Sequence, residues 1–257
     1  MCGITGGVGV SAPSKLLLDA QLKSIEHRGP DDTGSYLNQG ISLGMCRLAI
    51  VEIASGKQPA SDASEKINIV WNGEIYNYRE LRSELEQRGI HCRDSSESEV
   101  VINLYLEFGL DFINKLNGMF AIAIHDARDN SLHLIRDRMG KKPLWISHLS
   151  DGTMFFASEV RALMLARPDR TLRTDMVAEV MQYGYINAPN SAFNEISQEE
   201  NDNFWIHDLG IVADLNGDGY ADRLLTWYEY NSGGTCAVTK KSKNGLIEFF
   251  QIESGKY

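Results

Sequence analysis

The sequence predicts an α+β fold for residues 1–193, followed by a small, mainly β C-terminal segment. Apolar residues recur at helical spacing in four segments, which are 13–27, 77–88, 97–108 and 173–184. Runs rich in β-branched and aromatic residues predict strands at 67–71, 121–124, 132–135 and 154–157. Because strands dominate the middle and helices cluster before and after them, layered packing is favoured over a regular βαβ repeat.

The composition changes after this predicted domain. Residues 194–203 form a polar, acidic stretch that predicts a linker. Residues 204–257 return to strand and turn patterns. We therefore expect a domain at 1–193, a linker at 194–203 and a small β-rich segment at 204–257.

Bulk composition excludes several classes of protein. The 257 residues carry a formal charge of −10 without a Lys/Arg cluster, so we expect no nucleic-acid partner. There is no signal-peptide pattern and no apolar run of about 18 residues, so we expect a soluble, cytoplasmic protein without a membrane partner. The four cysteines form no C-x-x-C pair, which argues against a zinc site or a disulfide framework.

Cys2 is the first candidate functional residue. Removal of Met1 would leave one residue that carries both a thiol and an α-amine. An α-amine has a pKa of roughly 7.7–8.0, so it can accept the thiol proton near neutral pH. The alternative is an ordinary cysteine near the N-terminus that has no chemical role.

Two further segments contain polar groups suited to binding. Asn72 and Gly73 follow a predicted strand and fit a hairpin turn, but an Asn amide and a Gly N–H can also stabilise an oxyanion. Arg47 stands among apolar neighbours and needs an anionic partner. That partner is either a buried structural carboxylate or the carboxylate of a substrate.

Eight motifs in this order resemble the glutaminase domain of asparagine synthetase-type, class II amidotransferases. They are MCGI at 1–4, HRGPDD at 27–32, RLAIV at 47–51, NGEIYN at 72–77, LNGMFA at 116–121, RDRMGKKPL at 136–144, FASE at 156–159 and GYINAP at 184–189. The resemblance extends from residue 1 to about residue 193. A set of motifs in register is far more specific than any one of them.

The resemblance implies an N-terminal-nucleophile (Ntn) hydrolase fold, a four-layer αββα sandwich that hydrolyses glutamine to glutamate and ammonia without a cofactor. By position, Cys2 corresponds to the nucleophile that forms a glutamyl thioester, and Asn72 and Gly73 to the oxyanion donors. Arg47 corresponds to the residue that binds the substrate α-carboxylate, and Glu74 to a further substrate contact.

Glu97 departs from the family pattern, which usually has Asp where the substrate α-ammonium binds. The carboxylate is kept but is one methylene longer, so we expect an effect on affinity more than on chemistry. An alternative is purely structural, because Ser96 and Glu99 fit a capping box and an acid in the first turn complements the helix dipole.

Asparagine synthetases also carry an ATP-dependent domain with a Ser-Gly-Gly-x-Asp-Ser phosphate loop, which this sequence lacks. The most similar segment, SGGTCA at 232–237, fits a Gly-Gly hairpin turn better. We therefore expect glutaminase activity without asparagine synthesis, and a separate synthetase chain as the ammonia acceptor.

The C-terminal segment contains a candidate calcium loop. Alternate positions offer oxygen ligands, which are Asp214, Asn216, Asp218, the Tyr220 carbonyl and Asp222. The pattern resembles the short calcium loops of FG-GAP-type β-propeller repeats, although only one copy is present. A solvated Asn/Gly turn is the alternative.

Three functional hypotheses follow from the sequence. The first is a working glutaminase that supplies ammonia to a partner chain. The second is an inactive fusion fragment, and the third is a calcium-stabilised binding module with a vestigial enzyme domain.

Overall fold

The computed structural model of the chain describes residues 1–12, 14–49 and 56–198, and the backbone of four strands beyond residue 203. The described strands are β1 (Gly3–Val8), β2 (Asp32–Asn38), β3 (Ile41–Arg47), β4 (Ala60–Ser61), β5 (Ile67–Ile75), β6 (Gly118–Asp126), β7 (Ser131–Arg136), β8 (Trp145–His148), β9 (Met154–Ala157), β10 (Ser197–Gln198), β11 (Phe204–Ala213), β12 (Asp222–Tyr230), β13 (Thr235–Lys241) and β14 (Ile247–Glu253). The described α-helices are α1 (Lys15–Ile25), α2 (Tyr78–Gln87), α3 (Glu97–Phe108), α4 (Val160–Ala166) and α5 (Asp175–Tyr183). Two 3-10 turns span Glu26–Arg28 and Gly109–Lys115.

The strands form antiparallel sheets. One six-stranded sheet has the order β10-β8-β9-β1-β3-β2, and a four-stranded sheet has the order β4-β5-β6-β7. The four predicted strand runs lie inside β5, β6, β7 and β9. The predicted helix at 97–108 has the bounds of α3, and the other three match α1, α2 and α5 with shorter ends. Strand β1 was not predicted, because its three glycines disfavour a strand.

Three apolar cores separate four layers. The space between the two sheets is filled by side chains from both, including Ile4, Leu43, Met45, Val70, Ala123 and Leu134. Helices α1 and α4 cover the outer face of the six-stranded sheet through Leu18, Leu22, Phe155 and Leu163. Helices α2 and α3 cover the outer face of the four-stranded sheet through Ile69, Leu81, Leu85 and Leu104. The layer order is therefore αββα, as expected.

The start of α3 corrects one structural prediction. Ser96 caps this helix, because its hydroxyl accepts a hydrogen bond from Glu99 N at 3.2 Å. The Glu99 carboxylate does not return to Ser96 N, which bonds Asp94 Oδ1 at 2.8 Å instead. Glu99 is bound by Arg93, with Nη2 at 2.7 Å. The predicted capping box is wrong in its second half, since the arginine competes successfully for the carboxylate.

The segment beyond residue 203 contains the expected strands. β11, β12, β13 and β14 pair in that order as a third antiparallel sheet. The turn predicted near residues 232–237 falls between β12 and β13, where 231–234 lie outside the described residues. The candidate calcium ligands Asp214, Asn216, Asp218 and Tyr220 also lie outside them, and Asp222 is described only as backbone of β12.

Strand β10 falls within the stretch predicted as a linker. Ser197 and Gln198 pair with Ile146 and Trp145 of β8, at the edge of the six-stranded sheet. The boundary near residue 194 remains a prediction. Among the described residues, no helix combines the length and apolar character that crossing a membrane requires.

Candidate active site

Strand register brings the predicted site residues to one end of the sandwich. Gly3 of β1 pairs with Cys46 of β3, so the next residues outward, Cys2 and Arg47, are neighbours. Side chains alternate between the two faces of a strand. Cys2 shares a face with Ile4, and this face lies against the core between the sheets. Arg47 is 9% exposed and follows the same alternation along β3.

The Cys2 thiol lies against the chain that leaves β3. Leu48 N donates a hydrogen bond to Cys2 Sγ at 3.4 Å, and the thiol is 3.8 Å from the Leu48 carbonyl oxygen. Cys46, in contrast, is fully buried on the opposite face, and burial raises the pKa of its thiol. Of these two cysteines, only Cys2 faces the cleft described below.

An ionised network supports the backbone of Cys2. Arg28 Nε donates to the Cys2 carbonyl oxygen at 3.0 Å, and Arg28 Nη1 binds Glu159 Oε1 at 3.0 Å. His27 Nε2 lies 2.9 Å from the same oxygen of Glu159. Burial raises the pKa of Glu159, but the hydrogen bonds from Arg28 and His27 outweigh it and hold the pKa below its usual range. Two of the sequence motifs, at 27–32 and 156–159, therefore meet behind the nucleophile candidate.

A cleft that is partly open to solvent lies in front of Cys2. Its lining includes five of the six residues assigned by the resemblance, which are Cys2, Arg47, Gly73, Glu74 and Glu97. A thiol, a guanidinium and carboxylates thus face the same space. Asn72 is the sixth, and it does not line the cleft surface.

Asn72 and Gly73 lie within strand β5, so the hairpin-turn interpretation is wrong. They pair with Ala121 and Phe120 of β6, and this pairing overrides the local turn preference of the Asn-Gly dipeptide. A Cβ atom at position 73 would lie 2.1 Å from the Met119 carbonyl oxygen, so only glycine fits this close approach.

Asn72 is 2% exposed, and its Nδ2 has no hydrogen-bond partner among the described residues. Alternation along β5 places Asn72 on the same face as Val70, toward the other sheet and the Cys2 side. A buried amide donor without a partner carries a desolvation cost, which a ligand oxygen would relieve.

The free edge of β5 adjoins the cleft. Trp71 N donates to Gln58 Oε1 at 2.7 Å, and Ile75 N donates to Glu97 Oε2 at 3.3 Å. Glu97 therefore reaches the strand from the first turn of α3 and also lines the cleft. The position of Glu97 therefore fits both interpretations, the acid in the first turn of a helix and the residue that faces a substrate. Glu99 does not line this cleft, so only the structural interpretation applies to it.

The sequence model of the family described as "Glutamine amidotransferase domain" matches residues 1–211. This chain belongs to that family. It is 33% identical over 205 residues to asparagine synthetase [glutamine-hydrolyzing] 1 of Bacillus subtilis, an alignment that covers 78% of this chain and 32% of that protein. It is 39% identical over 166 residues to asparagine synthetase [glutamine-hydrolyzing] 1 of Arabidopsis thaliana, covering 63% of this chain and 28% of that protein.

The amidotransferase thus spans about a third of the length of the curated relatives it matches. Solved structures confirm the Ntn-hydrolase fold. The allosteric regulatory enzyme of purine biosynthesis superimposes with a TM-score of 0.60 at 19% identity, over 80% of this chain and 47% of that chain. Glutamine phosphoribosylpyrophosphate amidotransferase from B. subtilis superimposes with a TM-score of 0.55 at 16% identity, over 99% of this chain and 50% of that chain.

Several contacts of the amidotransferase site were not predicted. Gln58 and Ser98 both bind Trp71, the first at the backbone N–H and the second at the indole Nε1, 2.9 Å from Ser98 Oγ. The roles of Arg28 and Glu159 were also missed, although their motifs were recognised. Within the described ranges, no group of three or more His, Cys, Asp or Glu side chains is arranged to hold a metal ion.

Proposed function

We propose that this amidotransferase domain hydrolyses glutamine to glutamate and ammonia, with Cys2 as the nucleophile. One observation carries the proposal: Cys2 shares its cleft with Arg47 on one wall and with Glu74 and Glu97 on the other. A free amino acid carries an α-carboxylate and an α-ammonium. The cation and the carboxylates of the cleft complement these two charges and leave the side-chain amide for the thiol.

The α-amine of Cys2, free once Met1 is removed, accepts the thiol proton. The sulfur then bonds the amide carbon of glutamine, and the carbonyl electrons move onto the oxygen. When the carbonyl re-forms, nitrogen takes the proton from the α-ammonium and leaves as ammonia. Water next attacks the glutamyl thioester, which releases glutamate and restores the thiol.

The oxyanion of each tetrahedral intermediate needs preorganised donors. We assign Asn72 Nδ2 and Gly73 N–H to this role. The unpartnered, buried amide of Asn72 supports the first assignment. The place of Gly73 in the cleft wall supports the second.

Cleavage of Met1 is the first test, since the base exists only in the processed chain. Intact-mass analysis of the active protein is expected to show Cys2 as its first residue. Met1 is 61% exposed, which leaves it accessible for removal. An active protein that retains Met1 would rule out the α-amine as the base.

Glutamate release from glutamine tests the nucleophile. Cys2→Ala is expected to reduce it to background, whereas Cys92→Ala, which changes a half-buried cysteine outside the cleft, serves as the matched control. Glutamine hydrolysis by Cys2→Ala would contradict the proposal. Failure of the processed wild type to release glutamate would favour the inactive-fragment hypothesis.

Ammonia from this site is proposed to serve a separate synthetase chain in the cytoplasm, where reducing conditions preserve thiols. With glutamine, aspartate, ATP and magnesium, the domain alone is expected to form glutamate but no asparagine.

The candidate calcium loop is a separate proposal for the C-terminal segment. Calorimetry without a heat of calcium binding, together with an unchanged Tm, would leave only the turn interpretation.

A further inference from the structure

Three backbone N–H groups of β5 point toward its free edge at the cleft. Phe120 of β6 directs its N–H and carbonyl to Asp137, at 3.2 and 2.9 Å, and so turns both away from its β5 partner, Gly73. The Gly73–Phe120 pair is therefore one of the non-hydrogen-bonded pairs of the antiparallel ladder. Because hydrogen-bonding directions alternate along a strand, the N–H groups of Trp71, Gly73 and Ile75 all face outward.

The two outer N–H groups are bound by side chains, and the middle one has no acceptor among the described residues. Gln58 accepts from Trp71 N and Glu97 accepts from Ile75 N. No described residue accepts from Gly73 N, which lies between them and lines the cleft. β4 does not cover this part of the edge, since it pairs only with Asn68 and Ile69.

Gln58 is itself held against the six-stranded sheet. A Cβ atom at position 34 of β2 would lie 1.8 Å from the Gln58 carbonyl oxygen, so the Gln58 backbone packs directly on Gly34. The amide orientation of Gln58 follows from its partner, because an N–H donor requires the oxygen. This residue thus connects the sheet that carries Cys2 to the edge that carries Gly73.

We infer that Gln58 is a positioning residue for the oxyanion donor Gly73 N–H. This inference rests on the proposed glutaminase function. By fixing the strand at Trp71, Gln58 sets the direction of the N–H two residues later. Loss of this contact would misplace the donor in the transition state and leave the groups that bind the two ends of the amino acid in place.

Gln58→Met tests this inference, since methionine keeps the side-chain length and loses the acceptor. We expect kcat to fall about 10-fold, less than the roughly 10²–10³-fold cost of removing an oxyanion donor, with KM little changed. Gln21→Met is the matched control. Gln21 is buried, donates to the Ala162 carbonyl oxygen at 3.2 Å and does not line the cleft, so its loss is expected to lower Tm without changing kcat.

Alkylation of Cys2 by iodoacetamide separates positioning from general damage to the site. The thiolate displaces iodide from a saturated carbon, so no tetrahedral oxyanion forms. The Cys2 peptide, followed by mass spectrometry, is expected to be alkylated at the wild-type rate in Gln58→Met. If the alkylation rate of Cys2 in Gln58→Met falls by the same factor as kcat, the inference is overturned. An unchanged kcat in Gln58→Met would also overturn it.

Gln58→Glu keeps an acceptor oxygen for Trp71 N, so its kcat is expected to be higher than that of Gln58→Met. The added charge should act mainly on KM. If Gln58→Met does not fold, Gln58→Glu carries the test, and a kcat loss of about 10-fold or more would overturn the inference. A processed wild type that releases no glutamate would overturn the proposed function and this inference together. An active wild type with an unaffected Gln58→Met would overturn this inference alone.

Discussion

The two walls of the cleft hold their reactive groups by different means. Behind Cys2, an ionised network from Arg28 and Glu159 fixes the backbone, with side chains that are 10% and 20% exposed. Along β5, the neutral amide of Gln58 and the carboxylate of Glu97 bind strand N–H groups directly. The proposed nucleophile is thus supported by an ion pair behind it, and the proposed oxyanion strand by side-chain acceptors on its N–H groups.

This difference predicts how each wall responds to change. Variants on the β5 wall should act mainly on the transition state or on substrate binding. Variants behind Cys2 should alter stability in a pH-dependent way, because a titratable carboxylate completes that network.

Asn72→Ala has the largest expected effect. We expect kcat to fall about 10²–10³-fold, the usual cost of losing one oxyanion donor. Stability should change little, because Asn72 Nδ2 has no partner among the described residues. Asn68→Ala is the control on the same strand: its amide donates to the Glu65 carbonyl oxygen at 3.2 Å, so it should lose stability and keep kcat. Equal kcat values for the two variants would contradict the assignment of Asn72.

Glu97→Ala is expected to act mainly on KM, because an ionic contact to the substrate ammonium exists in both ground and transition states. A charge-assisted hydrogen bond contributes about 1.5–3 kcal/mol, which corresponds to a loss of roughly 10- to 150-fold in kcat/KM. A smaller fall in kcat should accompany it, since Ile75 N also loses its acceptor.

Glu80→Ala provides the control for the helix-dipole alternative, because Glu80 is exposed in the first turn of α2 and lies outside the cleft. It should cost about 0.3–1 kcal/mol of stability and leave KM unchanged. Glu97→Asp should keep or improve affinity. Steady-state kinetics that show an unchanged KM for Glu97→Ala would remove Glu97 from the site.

Of the three site variants, Glu159→Gln is expected to have the smallest effect. It should lower the free energy of unfolding by about 1–2 kcal/mol at neutral pH, between the values for exposed and buried ion pairs. The pKa of Glu159 is lowered in the folded protein, so its stabilisation is present above the unfolded pKa of about 4.3 and lost as pH falls through the folded value. Wild-type stability should therefore fall more steeply with acid than that of Glu159→Gln.

Denaturant unfolding between pH 7 and 3 measures this difference. Glu107→Gln, at the more exposed ion pair with Arg88, should follow the wild-type curve. If Glu159→Gln also follows it, the carboxylate does not carry the pH dependence of this wall.

Much of the site could be predicted from sequence because its residues stand in recognisable motifs. Cys2 and Arg47, which stand in two of these motifs, both line the cleft. Gln58 could not be found in this way, since its partner is a backbone N–H 13 residues away that carries no sequence signal. The same limit explains the turn predicted at Asn72, where pairing with another strand decides the conformation.

Fold prediction succeeded where periodicity was strong and failed where small residues form a strand. Helices α2 and α3 follow from their apolar spacing. Strand β1 is rich in glycine but is held between β3 and β9 by their ladders. Tertiary pairing, which single-sequence patterns do not encode, supplies what local propensity lacks.

The close packing of Gly34 on the Gln58 peptide places a constraint on how this domain can evolve. Any side chain at position 34 would collide with the Gln58 carbonyl and displace the loop before β4. Because Gln58 is proposed to position the Gly73 N–H, Gly34 of β2, which does not line the cleft, would then influence kcat. Gene libraries diversified only at cleft positions would not sample it.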